Sequence, residues 1–321
     1  MADLFSAIQL AELLTDRADR HVQRLSSSFD ALKTVDLELK PTAWVTGAGG
    51  LIGNYLAQTA PIYASRWRVI GLTRSQLDLT DFEAVLSAFR QQRPRLIIHC
   101  AALGRSPACQ ANPGLAYELN VEVTKRLAEM ASEIPLIFFS SDLVFDGRKG
   151  NYEETDPVNP LNVYAETKVA AEQVILQNPL HTVIRTSLNG GISPTGDRGF
   201  NEELRQAWRG GRSIRLFIDE FRCPVPAVVT GRAVWELAAK NSPGLYHLAG
   251  SERLSRCQIG GLVAARWPEL HPRLEASSVQ DYQGPPRPRD SSLNCGKIQQ
   301  LLSFPLPSLT EWLAAHPNEP F

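Results

Sequence analysis

The stretch Thr42-Ala43-Trp44-Val45-Thr46-Gly47-Ala48-Gly49-Gly50-Leu51-Ile52-Gly53 decides the fold. A short apolar run meets a glycine-rich turn, and apolar residues resume at helical spacing immediately after it. Glycine serves such a turn in three ways: it closes it tightly, lets backbone approach a pyrophosphate, and lets helix pack on strand. A helix starting there aims free N–H groups and its positive dipole end at phosphate. A lone glycine triplet could be a flexible turn, but one lying between a first strand and a first helix points to dinucleotide binding. Gly47, Gly50, Leu51, Ile52 and Gly53 are the residues assigned to that role.

Outward from this loop, short apolar runs alternate with amphipathic ones. Strands are expected at 43–46, 68–73, 96–100, 136–141 and 182–186, and helices at 51–59, 81–92, 114–131 and 163–177. Thr80 is placed to cap the second helix, and Pro94 follows its end. The pattern predicts an α/β fold: a Rossmann-type doubly wound parallel sheet, with a smaller C-terminal substrate lobe. The expected division is a dinucleotide-binding domain over 41–188 and a mainly substrate-binding lobe over 189–321. Within the latter, a strand near 245–250 returns to the sheet, and a helix lies near 201–208. Residues 1–40 read as an added pair of amphipathic helices, on Leu4, Phe5, Ile8, Leu13 and Leu14, then Val22, Leu25, Phe29 and Leu32. A packing role and a partner-binding role both stay open for them.

Composition removes several classes. The 321 residues carry 33 Lys+Arg against 34 Asp+Glu, a net charge of −1, without the basic excess of a nucleic-acid surface. Six Trp are scattered and form no base-stacking platform. Five Cys lie at wide spacings with no CxxC and no zinc-ligand pairing with His, so free thiols and no metal are expected. No apolar run approaches the ~18 residues of a membrane span, and the N-terminus lacks signal-peptide features. These features lead to the expectation of a soluble, cytoplasmic protein. His99 falls in a buried strand and reads as a satisfied core residue, and Pro285–Arg289 as a structural loop.

Which dinucleotide binds is read at the end of the second strand. An NAD site offers Asp or Glu there to the ribose 2′-hydroxyl. Residues 65–76 contain no acid, and Thr73-Arg74 stands where the strand ends. A guanidinium and a hydroxyl suit a 2′-phosphate, so NADP(H) is expected, with NAD(H) still open. The plain alternative is that Arg74 is a solvated loop charge.

Tyr164-Ala165-Glu166-Thr167-Lys168 opens the fourth helix and puts Tyr164 and Lys168 one turn apart on one face. A phenol titrates near ~10, and a neighbouring ammonium is expected to lower that value into a usable range. Alone, a Tyr/Lys pair at this spacing is common on surfaces. Behind a glycine loop it is far more specific.

Taken together, Thr46-Gly47-x-x-Gly50-x-x-Gly53 and Tyr164-x-x-x-Lys168 resemble the extended short-chain dehydrogenase/reductases. Ser140-Ser141-Asp142-Leu143-Val144-Phe145-Asp146-Gly147, Pro160-Leu161-Asn162-Val163-Tyr164 and Arg287-Pro288-Arg289-Asp290-Ser291-Ser292-Leu293 resemble their dTDP-4-dehydrorhamnose reductase branch. The resemblance runs from about Thr42 to the C-terminus. It implies that Ser141 hydrogen-bonds the substrate carbonyl, that Tyr164 is the general acid, and that Lys168 tunes it and holds the nicotinamide ribose. It also implies that Asp78 and Leu79 border the adenine and that Ala101 and Ala102 line the cofactor. Asn120 matches a position that is often structural.

Departures fall on the substrate side. Leu103, Leu143 and Leu188 stand where the resembled reductases often carry aromatics, removing stacking surface and hydroxyls that could bond a sugar. The implied activity is NADP(H)-dependent reduction of a keto group on a nucleotide-linked deoxysugar. Sugar-nucleotide epimerisation, and a non-catalytic NADP-binding regulatory role, remain as alternatives. A dehydratase fits poorly, because Asp142 is followed by Leu143 rather than a second acid. The expected partner is a small-molecule substrate, not nucleic acid or membrane, and a homodimer is left open.

Overall fold

The computed structural model describes residues 40–319 and 321. The helices expected within 1–40 therefore lie outside the described residues, apart from Lys40. Two compact units are distinguished. The small one takes in Pro41 and Arg66–Arg68, where the Arg68 N–H donates to the Pro41 carbonyl at 3.0 Å. The large one is Thr42–Ser65 and Val69–Phe321.

Six strands form the central sheet: β1 (Thr42–Thr46), β2 (Arg68–Leu72), β3 (Leu96–His99), β4 (Leu136–Ser141), β5 (Thr182–Thr186) and β6 (Gly244–Leu248), in the order β6-β5-β4-β3-β1-β2. β1, β3, β4 and β5 are buried throughout, as strands covered on both faces should be, with Arg185 the charged residue inside β5 and Ser140-Ser141 ending β4. Pairing is parallel from β1 to β6, with Thr46 opposite His99, Ser141 opposite Thr186, and Thr186 opposite Leu248. That register brings the C-terminal ends of β1, β3, β4 and β5 to one edge. The order reverses between β1 and β3, the switch point at which open α/β sheets bind ligands.

Helices α1 (Leu51–Tyr63), α2 (Phe82–Gln92), α3 (Val123–Met130) and α4 (Val163–Ile175) follow the strands. Trp44, Leu127, Phe138, Ile175 and Val183 meet in one core cluster between sheet and helices. Several boundaries differ from expectation. α1 runs on through Pro61 to Tyr63. Asp81, not Thr80, caps α2, its carboxylate accepting from the Ala84 N–H at 3.0 Å, while the Thr80 hydroxyl is spent on Asp78. The single helix expected over 114–131 is broken: Pro113–Tyr117 and α3 are joined by a π turn at Glu118–Glu122.

A second cluster gathers Leu204, Trp208, Leu216, Ile259 and Trp312 from α5 (Phe200–Arg209), α7 (Arg256–Arg266), α8 (Leu309–Ala315) and the strand Ile214–Phe217. Helix α6 (Ala227–Lys240), which the sequence reading did not resolve, packs on α1. Trp235 Nε1 donates to the Leu56 carbonyl at 3.0 Å, and a Cβ at Gly231 would come within 2.8 Å of Thr59 Oγ1.

Candidate active site

The phosphate loop is shaped by contacts that only glycine permits. Gly47 has φ +70°, and a Cβ there would lie 2.6 Å from the Ala101 amide nitrogen. A Cβ on Gly53 would lie 2.4 Å from the Gly47 carbonyl oxygen. Gly50 is the N-cap of α1 and brings no side chain to the first-turn N–H groups of Leu51, Ile52 and Gly53. The Ala48 N–H donates to Leu72 O at 3.1 Å, tying the loop to the end of β2. The loop can therefore take a pyrophosphate on bare backbone.

Beyond β2, the Thr73 N–H and hydroxyl both donate to Gln76 Oε1, at 2.9 and 2.8 Å. Arg74 is 77% exposed, and its Nε lies 3.3 Å from Asp78 Oδ2. Thr80 donates twice to Asp78 Oδ1, and these bonds hold the Asp78 carboxyl below its ordinary range. Asp78 thus organises the turn, Leu79 packs against the sheet core, and Arg74 keeps an exposed guanidinium beside Thr73. Those residues fit a 2′-phosphorylated ribose better than a plain one.

On the far side of the loop, Ala101 lies against Gly47 and Ala102 is exposed. The Asn120 amide clamps the following residue from both ends: its Oδ1 accepts from the Leu103 N–H at 2.7 Å, and its Nδ2 donates to Leu103 O at 3.2 Å. Nδ2 also reaches Thr167 Oγ1 on α4 at 3.0 Å. The π turn thus frees Asn120 to join the Ala101–Leu103 segment to the helix that carries Tyr164. His99 is a satisfied core residue, with its ring nitrogens 2.7 Å from Thr46 Oγ1 and 3.1 Å from Thr124 Oγ1, and burial drops its pKa to about 3.

Ser141 ends β4 and caps a short turn at Asp142–Val144, accepting from the Leu143 N–H at 3.2 Å. Asn162 caps α4, accepting from the Ala165 N–H at 3.1 Å, and this start fixes Tyr164 in the first turn. Tyr164 is partly buried, with the Ser141 hydroxyl close enough to its own to act on it. One turn on, Lys168 is buried, with Nζ 4.3 Å from the centroid of the Phe138 ring. Burial pulls its pKa down to about 8, against the opposing charge of Glu172. Glu172 is itself held by Arg185 at 2.7 Å.

One expectation is corrected. Burial pushes the Tyr164 hydroxyl up to about 12, and the hydrogen bond with Ser141 only partly opposes this. The phenol thus stays protonated at neutral pH beside a Lys168 ammonium that is itself desolvated. At neutral pH Tyr164 is therefore suited to giving a proton rather than taking one.

The structure brings Ser141 beside Tyr164 with Lys168 one turn beyond, and Leu143 stands two residues after Ser141. Leu188 packs instead on the second core cluster. Its neighbour Ser187 is the residue that reaches this corner, donating to Asp142 at 2.7 Å. Sequence reasoning missed the buried Asp142–Arg222 pair, whose partners stand 80 residues apart. Among the described residues no His/Cys/Asp/Glu group could hold a metal ion, all five cysteines are free, and no helix is long and apolar enough to cross a membrane.

A glycine loop at the switch point, with Ser141, Tyr164 and Lys168 beside it, defines a Rossmann-type protein of the extended short-chain dehydrogenase/reductase class. Residues 42–319 match the family model described as the RmlD substrate binding domain, and the chain belongs to that family. It is 29% identical over 288 residues to the probable low-salt glycan biosynthesis reductase Agl14 of Haloferax volcanii, covering 85% of this chain and 96% of that one. It is 28% identical over 273 residues to methionine adenosyltransferase 2 subunit beta of Rattus norvegicus, covering 80% and 81%. Its fold matches a dTDP-4-dehydrorhamnose reductase from Bacillus anthracis solved with NADP, at TM-score 0.79 and 21% identity, covering 86% and 98%.

Proposed function

We propose that this protein is an NADP(H)-dependent reductase of a keto group on a nucleotide-linked deoxysugar. The observation that carries the reading is the Ser141–Tyr164 contact, with buried Lys168 one turn away, at the strand edge that also holds the phosphate loop. When bound, the nicotinamide supplies a hydride to the carbonyl carbon. Tyr164 gives its hydroxyl proton to the carbonyl oxygen, so the phenol O–H breaks as the alcohol O–H forms. Ser141 donates a hydrogen bond to that oxygen as charge develops on it. Lys168 bonds the ribose and compensates the phenolate left on Tyr164. Gly47, Gly50, Leu51, Ile52 and Gly53 hold the pyrophosphate, Thr73 and Arg74 the 2′-phosphate, Asp78 and Leu79 the adenine side, and Ala101 and Ala102 the cofactor's inner face. Leu103 and Leu143 border the sugar, and an aliphatic border favours a substrate less polar than dTDP-4-dehydrorhamnose.

Similarity to the methionine adenosyltransferase subunit supports a second reading, an NADP-binding partner protein. NADPH consumption measured over a panel of nucleotide-linked keto sugars separates the two. Turnover of a panel member is expected. Tight NADPH binding with no consumption on any member, together with co-purification of a larger enzyme, would overturn the reductase reading.

A further inference from the structure

Asp142 stands beside the proton donor with no solvent exposure and an unusual number of donors on one carboxylate. Oδ1 accepts from Ser141 Oγ at 3.2 Å and from Arg222 Nη2. Oδ2 accepts from Arg222 Nε at 2.6 Å, Ser187 Oγ at 2.7 Å and Ser291 Oγ at 3.3 Å. The donors come from four places in the chain: the end of β4, the residue after β5, the strand Phe221–Arg222, and the loop carrying Ser291. Arg222 is also buried and lies 3.5 Å from Glu220, which takes two further bonds from Arg287 at 2.8 and 2.9 Å.

Burying such a pair costs several kcal/mol of desolvation per ion, and an apolar pair would often serve stability as well. Its position suggests what it does. Ser141 has a single proton, and that proton is directed to Asp142. The Ser141 oxygen is then left to accept from the Leu143 N–H at 3.2 Å.

We propose that Asp142 is a positioning residue for the reduction: with Arg222 as counter-charge, it turns the Ser141 proton away from Tyr164 at rest and so keeps Tyr164 as the donor. This rests on the reading of Tyr164 as proton donor. When a carbonyl arrives, Ser141 can swing its O–H from Asp142 to that oxygen. Asp142 then loses one long hydrogen bond of five and stays satisfied by the other four.

The charges around Tyr164 agree with the geometry. Asp142, just past the end of β4, and Cys109 on the helix Ser106–Ala111 favour the protonated phenol; Arg222 opposes them, as would a Ser141 proton turned from Asp142 to Tyr164, and Lys168 shares the helix face one turn away. Asp142→Asn and Arg222→Met should therefore move the Tyr164 titration in opposite directions, whereas loss of a purely structural clamp would move both the same way.

The test is a spectrophotometric titration of the Tyr164 phenol, each protein read against its own Tyr164→Phe counterpart, with no substrate present. The midpoint is expected to fall by about 1 pH unit in Asp142→Asn and to rise by a similar amount in Arg222→Met. Shifts of one sign, or no shift, overturn the proposal. If Asp142→Asn does not fold, Ser187→Ala removes one donor from the same carboxylate and leaves the ion pair; it should raise the midpoint, and an unchanged midpoint counts against the proposal. In turnover, the alkaline fall of kcat should move with each midpoint. Opposite shifts without turnover on any substrate would sink the reductase reading and spare the placement of Asp142; turnover without shifts would do the reverse.

Discussion

Lys168→Met is expected to stabilise the ligand-free protein while destroying its function. Lys168 is 3% exposed, and burial lowers its pKa from 10.5 to about 8. At about 1.4 kcal/mol per pH unit, holding the ammonium in this site costs about 3 kcal/mol at neutral pH. The Phe138 ring at 4.3 Å returns part of that, so the variant should gain about 1–3 kcal/mol. The sign follows from linkage: between pH 8 and 10.5 the unfolded chain binds the proton that the folded chain has lost, so wild-type stability rises with pH there. The advantage of Lys168→Met should accordingly be full below pH 8 and fade as pH climbs to 10.5. Paired denaturant unfolding of both proteins at several pH values reads this directly. A variant less stable than wild type at neutral pH, or a difference that does not shrink across that window, would refute the reasoning.

Three further outcomes follow from the same geometry. Arg74→Ala should cost almost no stability, because its pair with Asp78 is exposed on both sides and worth about 0–1 kcal/mol; NADPH affinity should nevertheless fall about 10- to 150-fold by calorimetry with NADH affinity unchanged, as loss of a charge-assisted bond of about 1.5–3 kcal/mol requires. Gly47→Ala should abolish dinucleotide binding, measured by nicotinamide fluorescence, since its Cβ would press on the Ala101 backbone at a positive φ. Leu143→Tyr should raise kcat/KM for dTDP-4-dehydrorhamnose in NADPH-consumption kinetics; Leu188 is left alone because a larger ring would overpack the second core cluster.

The parts that could be read from sequence depend on neighbours along the chain. Gly47 and Gly53 announce themselves because a turn this tight excludes every side chain. Tyr164 and Lys168 do so because one helical turn is four residues, and the buried strands because continuous apolar runs have few other uses. What escaped depends on distant pairing or on competition between near-equal caps. Asp142 stood in plain view after Ser141, but its meaning comes from Arg222, Ser187 and Ser291, which only the folded chain brings to it. Asp81 won the cap of α2 because Asp78 had already claimed the Thr80 hydroxyl. The π turn at Asn120 leaves no mark in an apolar pattern, and the phenol's upward shift reflects burial, which spacing does not report.

The central claim is that Tyr164 delivers a proton while the dinucleotide seated on the glycine loop delivers a hydride. Stereospecifically deuterated NADPH, incubated with a nucleotide-linked 4-keto-6-deoxysugar and followed by mass spectrometry of the product, tests both halves at once. The account expects one deuterium on the former carbonyl carbon with the wild-type protein, and its loss by orders of magnitude in Tyr164→Phe although NADPH still binds. Deuterium transfer at a similar rate in Tyr164→Phe would contradict it.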